Sequence, residues 1–320
     1  MPYINVDEAY ILDNTGLQVD MTTDLPFADA GLNETQQAQA RKNIAAGGTN
    51  PNLIDNPFFT IRQRGDGPFT GNVYGLDRWR GGNSRTTITG NSGYITVATN
   101  TSGNGILRQI LSQTYEGTYT FSAVVGGSGS GALFFQDGGG TIIGDASEFT
   151  TTGDTQLVTL TFTTSGTAIG GVAVRVDVSN TIDVVCAKLE KGTVSTLAND
   201  VPPDYGTELA KCQRYFIRLS NTTNYAVFGT GHAASASVVY VFVPLPVTMR
   251  TSPAKSISTV GDFRLIGNGQ TVSMTDIGVR IATENGVTLQ TSGSTGLTTY
   301  QTYSLVNTGV TAYIDLSADL

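Results

Sequence analysis

Apolar and polar residues alternate with a period of two through most of the chain from about residue 52 to 198. In "GTYTFSAVV", Tyr119, Phe121, Ala123 and Val125 alternate with Thr118, Thr120 and Ser122. In "LVTLTFTT", Val158, Leu160 and Phe162 oppose Thr159, Thr161 and Thr163. In "VAVRVDV", Val172, Val174, Val176 and Val178 oppose Arg175 and Asp177. Strict alternation predicts strands with one buried and one wet face, as in an antiparallel sandwich. Glycine-rich runs such as "GGSGSG" and "QDGGG" read as the turns between them. The region is expected to be a jelly-roll-like β-sandwich over residues 52–200.

The pattern changes at "PDYGTELAKCQRYF". Pro202 and Pro203 block an earlier start and Asp204 can cap, so a short helix is predicted. Strand signals return over 216–320. "SASVVYVFVPLP" is apolar at consecutive positions around Val239 to Val243 and predicts a central, buried strand. "VRIATE", "TTYQTYSLV" and "VTAYIDLS" alternate again. Residues 201–320 are therefore expected to form the short helix and a second, smaller sandwich. The fold class is mainly β.

Residues 1–30 show no consistent period and read as an irregular or short-stranded arm. In "GLNETQQAQARKNIAAGG", Asn33 and Gln36 resemble a capping box, and Gly47 and Gly48 form a natural stop. A helix and linker are expected over 31–51. Its apolar content is thin, chiefly Ala38, Ile44 and Ala45, and a helix of about three turns is marginal alone in water. It is expected to dock on its own domain or on copies of itself.

Composition supports the strand reading. Only 14% of residues are charged, against about a quarter in typical domains. Threonine, serine, asparagine and glycine fill the difference, which suits strands and turns better than helices. The net charge is −8 and the isoelectric point about 4.6. Without a basic cluster, nucleic acid is not expected as a partner. No leader-like segment and no run of about 18 apolar residues occurs, so no membrane insertion is expected. Cys186 and Cys212 do not make a disulfide framework and are expected to be reduced and buried.

Candidate chemistry is sparse. The one histidine, His232, sits in "GTGHAAS" with no G-x-S-x-G elbow and no partner acid in view. Zinc spacing is absent, no cofactor motif appears, and no catalytic residue is assigned. The chain is not expected to be an enzyme. Sugar binding needs only aromatic faces and neutral polar groups on a rigid sheet. Tyr225, Tyr300 and Tyr303 are the candidate sugar platforms.

Several motifs together carry a family likeness. "LNETQQAQARKNIAA" resembles the short stem helix of bacteriophage tail-fibre proteins. "NLIDNPFFTIRQRG…YGLDRW" resembles the entry to a β-sandwich domain of phage fibre and tail proteins. "AKLEKGTVSTLANDVPPDYGTELAKCQRYF" is similar to that domain's exit, and "PLPVTMRTSP" to a strand of the domain next in the chain. "GTYTFSAVV" and "VVCAKLEKG" also resemble jelly-roll carbohydrate-binding modules. The resemblance implies a virion protein of fibre or spike type, usually a homotrimer. Its arm would attach to other virion proteins, and its C-terminal domain would bind a bacterial surface glycan. An architectural head fibre or decoration protein is the alternative, and a glycan-depolymerising tail spike is the second.

One further expectation concerns "FFTIRQRG" and "GLDRW". Read as a strand, the first puts Phe59, Ile61 and Gln63 on one side and Phe58, Thr60 and Arg62 on the other. Asp77 is then a natural partner for Arg62 or Arg64, with the guanidinium stacked on Trp79. These four residues are expected to lock the start of the sandwich rather than bind ligand.

Overall fold

The computed structural model describes residues 50–320 and two short strands before them, β1 (Tyr10–Leu12) and β2 (Gln18–Asp20), which pair antiparallel. The expected stem helix, with Ala38, Ile44 and Ala45, lies outside the described residues, as does most of the arm. The rest is mainly β, as the alternation predicts.

The sandwich is built from β3 (Phe69–Thr70), β4 (Arg80–Gly81), β5 (Thr86–Asn91), β6 (Tyr94–Thr99), β7 (Gly105–Tyr115), β8 (Thr118–Gln136), β9 (Ile142–Thr163), β10 (Ile169–Val176) and β11 (Thr181–Lys191). Its strand order is β3-β5-β6-β11-β8-β10-β7-β4, with β9 on β8. The first half of β8 pairs with β11 and the second half with β10. β9 runs beside β8 along its whole length. The β8–β9 hairpin thus passes from one half-sheet to the other, and the two halves enclose one core. Phe121, Val125, Phe135, Val97, Ile88, Leu107, Val172 and Val174 fill it.

Two expectations are corrected here. "GGSGSG" is not a turn but the middle of β8. A β-bulge falls between Val125 and Gly127, and Gly127 has φ +80°. A side chain at Gly129 would meet the Thr181 carbonyl oxygen at 2.7 Å, and one at Gly131 would meet that of Arg175 at 2.1 Å. Glycine lets the strand bend there and lie close to its neighbours' backbone. "QDGGG" is a true turn, closed by Asp137, whose carboxylate accepts from the Gly139 and Thr141 amides. Val178 does not continue the buried row. β10 ends at Val176, and Val178 is exposed in the turn beyond it.

The outer face of β11 is covered rather than wet. Lys188 and Glu190 are fully buried beneath residues 192–200. Glu190 accepts from both the amide and the hydroxyl of Thr196, each at 2.7 Å. The Lys188 ammonium donates to Asp200 at 2.6 Å and to Thr196 at 2.9 Å. Buried charges persist only when paired and hydrogen-bonded. The glutamate and the threonine six positions later in "LEKGTVST" therefore form a single clasp.

Beyond the sandwich, α1 (Tyr205–Gln213) starts where predicted, with the Asp204 carboxylate accepting from the Thr207 amide. No helix among the described residues is long and apolar enough to cross a membrane. The C-terminal strands are β12 (Phe216–Ser220), β13 (Val227–Ser235), β14 (Val238–Pro244), β15 (Ala254–Ile257), β16 (Phe263–Gly267), β17 (Gln270–Val272), β18 (Asp276–Thr283), β19 (Gly286–Ser292), β20 (Thr302–Asn307) and β21 (Tyr313–Ser317). They form a three-stranded sheet, β12-β21-β15, and a seven-stranded one, β17-β16-β20-β13-β14-β19-β18. Phe263, Val239, Val241, Leu289, Tyr303, Ile314 and Leu316 make the core between them. β14 is central in its sheet, as predicted, but buried on one face only. Val239, Val241 and Val243 point inward, and Phe242 stands 53% exposed on the other side. The run of consecutive apolar residues masks this two-residue period.

The "NPFFTIRQRG" segment forms no strand. Asn56 and Phe59 have φ of 53° and 55°. The Asn56 side-chain amide accepts from the Ile61 amide and donates to the carbonyls of Ile61 and Asp77. The chain therefore winds into a loop around one buried asparagine. Phe59 and Ile61 still go to the core, because the bend turns both side chains inward.

Candidate functional site

The four residues of the expected lock divide among different partners. Asp77 is fully buried, and its carboxylate accepts from the Gln63 backbone amide and side-chain amide, both at 2.7 Å. Among the described residues, no arginine is hydrogen-bonded to it. Arg62 reaches away instead, to Asp66 at 2.9 Å and to the carbonyls of Phe59 and Asn91. The Arg64 guanidinium stacks on Phe216, 3.4 Å from the ring centre, and pairs with Asp319. Trp79 packs against Phe59 at 5.2 Å and donates its indole N–H to the Asn56 carbonyl. The indole finds a backbone partner rather than a guanidinium because the loop turns back at Asn56.

These contacts join the sandwich to the C-terminal unit. Gln63 also donates to the Phe216 carbonyl at 2.7 Å, and Arg218 donates to the Arg64 carbonyl at 3.2 Å. Arg78 is buried against Tyr215, 3.6 Å from the ring centre, and pairs with Asp55 at 2.9 Å. Glu208 of α1 accepts from the Asn56 backbone amide. The Tyr74 hydroxyl donates to the Leu320 carbonyl at 2.6 Å. The aromatic and arginine-rich opening motif thus serves as the seam between two β units. Local sequence does not show this, since the partners lie 137 or more positions away.

The three candidate tyrosines do not converge. Tyr303 is fully buried, and its hydroxyl accepts from the Thr298 amide, so it is a core residue and not a sugar platform. Its place inward is set by the alternation of β20. Tyr225 is 61% exposed and Tyr300 82% exposed. Their amides bond to Asn307 and Ala233, at opposite ends of the β13–β20 pair. That separates them by about 20 Å at a strand rise of about 3.3 Å per residue.

Aromatics do gather on the outward face of the seven-stranded sheet. Register sets Thr230 beside Phe242 and Thr288, and His232 beside Tyr240 and Gln290. The Arg280 guanidinium lies 3.7 Å over the Tyr240 ring. His232 meets the same ring edge-on at 6.0 Å. The Phe242 ring lies over Gly286, where any side chain would strike it at 2.7 Å. The face therefore carries an exposed phenyl ring, a guanidinium stacked on a phenol, and a rim of threonine, serine and glutamine groups. The signal for it is present in "VVYVFV", if Tyr240 and Phe242 are read as one face against the valines.

His232 lies among these groups, opposite Tyr240 in the β13–β14 register. Among the described residues, no group of three histidine, cysteine, aspartate or glutamate side chains could hold a metal. Cys186 and Cys212 are buried, unpaired thiols. Burial pushes the Cys186 thiol up to about 11 and raises that of Cys212 further. Both are thereby kept in the unreactive protonated form.

No protein-family model matches the chain, and no curated protein matches it. Some solved structures share distant likeness. One is the enzymatically active domain of tailspike protein 4 of bacteriophage CBA120, at 14% identity and a TM-score of 0.32, covering 44% of this chain and 21% of that one. Another is a family 29 carbohydrate-binding module from Piromyces equi, at 9% identity and 0.32, covering 42% of this chain and 92% of the module. A third is a CBM4 module, at 18% identity and 0.32, covering 43% and 99%. The chain spans only about a fifth of the tailspike domain's length. Likeness at this level does not say what the chain binds.

Proposed function

We propose that the chain is a non-enzymatic fibre or spike protein of a phage particle that attaches to a bacterial surface glycan. The ordered motifs that resemble phage fibre proteins support the virion setting. The observation that carries glycan binding is the outward sheet face with Phe242, Tyr240 and Arg280 amid neutral polar groups. A phenyl ring flat on a rigid sheet can cover the apolar face of a sugar, and the hydroxyl and amide groups around it can bond its edges.

A glycan array with the full chain tests this. For the best neutral oligosaccharide bound, Phe242→Ala is expected to weaken affinity by about tenfold, roughly 1.4 kcal/mol, with little change in melting temperature. Unchanged affinity would move the site elsewhere. No release of reducing ends from the bound polysaccharide is expected, and steady release would favour the depolymerase reading.

A second reading has its own observation. Val279 and Ile281 extend the same sheet with exposed aliphatic groups, which fits contact with another protein chain. Light scattering on the purified chain is expected to give the mass of three copies. A monomer that binds virion proteins but no glycan would favour the architectural role.

A further inference from the structure

Two of the family-like motifs, "TELAKCQRYF" and "PVTMRTSP", meet in space. The Arg250 amide donates to the Arg214 carbonyl at 2.7 Å. Between them lies an open groove of about 690 Å³, lined by one stripe of α1 and the segment after β14. Thr207, Ala210, Lys211 and Arg214 recur at helical spacing on the α1 side. Val247, Met249 and Arg250 lie opposite.

Three cations line this groove in a chain with only 18 lysines and arginines and a net charge of −8. Their charges are not equally answered. Lys211 is paired with Glu208 at 3.0 Å. Arg250 donates to the carbonyls of Ala318 and Asp319, which are neutral acceptors. The Arg214 side chain, at the exposed end of the helix stripe, has no hydrogen-bond or ion-pair partner among the described residues. Asp319 is itself engaged by Arg64. Among the described residues, two guanidinium charges thus border the groove without a carboxylate paired to either.

We infer that this groove binds an acidic saccharide, with its oxyanion, a carboxylate or a phosphate, held by Arg214 and Arg250. A guanidinium fork matches either oxyanion with two parallel bonds. Size argues against a free inorganic anion as the intended ligand. A groove of this volume falls in the range, about 300–1,000 Å³, that takes an organic ligand of several rings. Ala210 and Val247 supply apolar wall for a sugar's flat side. The inference rests on the reading of the chain as a glycan binder and goes beyond it, adding a second site, for an acidic saccharide, apart from the face at Phe242.

The test uses the full chain against a panel of bacterial capsular oligosaccharides. Each acidic member is compared with its carboxyl-reduced or dephosphorylated form, by calorimetry at low salt. At least one acidic member is expected to bind, to lose at least tenfold in affinity when its oxyanion is removed, and to lose as much with Arg214→Gln. That variant is expected to leave the fold intact, because the replaced side chain is exposed and has no partner among the described residues. Whichever treatment abolishes binding identifies carboxylate or phosphate as the source. Equal binding of the treated forms, or no effect of Arg214→Gln, would overturn the inference while leaving neutral-glycan binding at Phe242 intact. Saturation by inorganic phosphate alone at comparable affinity would overturn the saccharide assignment. Failure to bind any member of the panel or any neutral glycan would overturn both readings together.

Discussion

Asp77→Ala is expected to lower stability by about 2–4 kcal/mol, since it strips both Gln63 donors of a buried acceptor. For a chain of this size, at about 2.1 cal/mol/K of unfolding entropy per residue, that corresponds to a fall of roughly 3–6 °C in melting temperature. Tyr300→Ala removes an exposed ring and should stay within about 0.5 kcal/mol of the parent. Comparable melting temperatures for the two variants would refute the structural role given to Asp77. Because Gln63 also holds Phe216 and Arg218, protease should cut the Asp77→Ala variant sooner near residues 200–216.

The same carboxyl has a pH signature. Burial raises its pKa, opposed by the Arg64 charge and the bonds from Gln63. A carboxyl that holds its proton more tightly when folded favours folding at low pH. That contribution is full below the unfolded value, about 3.9, and is lost as pH rises through the raised folded value. Asp77→Asn should therefore flatten the stability profile across that window. A profile parallel to the parent's would count against this assignment.

Gly131→Ala is the second large effect expected. The added methyl would sit 2.1 Å from the Arg175 carbonyl oxygen. Backbone on the facing strand β10 must move to accept it, since no flexible side chain can yield. Overpacking of this kind costs about 1–3 kcal/mol and sometimes more. Gly138→Ala is the control, because open space surrounds that position and its backbone lies outside the left-handed region. If calorimetry finds Gly131→Ala as stable as Gly138→Ala, the close strand crossing is wrong.

The parts of this fold legible in the sequence are those set by neighbours in the chain. The alternation of Tyr119 to Val125 points to a strand, and Asp204 to the start of α1, because pleat and cap act over a few residues. "GGSGSG" is ambiguous because glycine marks tight turns and close backbone approach alike. Only the crossing with β10 and β11 decides between them. Tyr303 escapes sequence reasoning for a related reason. Which face of a strand meets the core depends on the opposite sheet, which local spacing does not contain. Charge alone pairs Asp77 with the nearest arginines, but folding gives it the Gln63 amides, and gives Arg64 to a ring and an acid beyond residue 215.

The C-terminal unit opens and closes at the same place. Its first strand begins at Phe216 and its last ends at Ser317, and these two residues are register partners. Both ends stand at the seam with the sandwich, where Arg64 holds Phe216 and Asp319. A module whose entry and exit coincide can be replaced whole by recombination without moving the strands it leaves behind. The seam residues on the sandwich side, Gln63, Arg64 and Arg78, would then act as a constant socket, and the unit docked against them could be exchanged as one cassette.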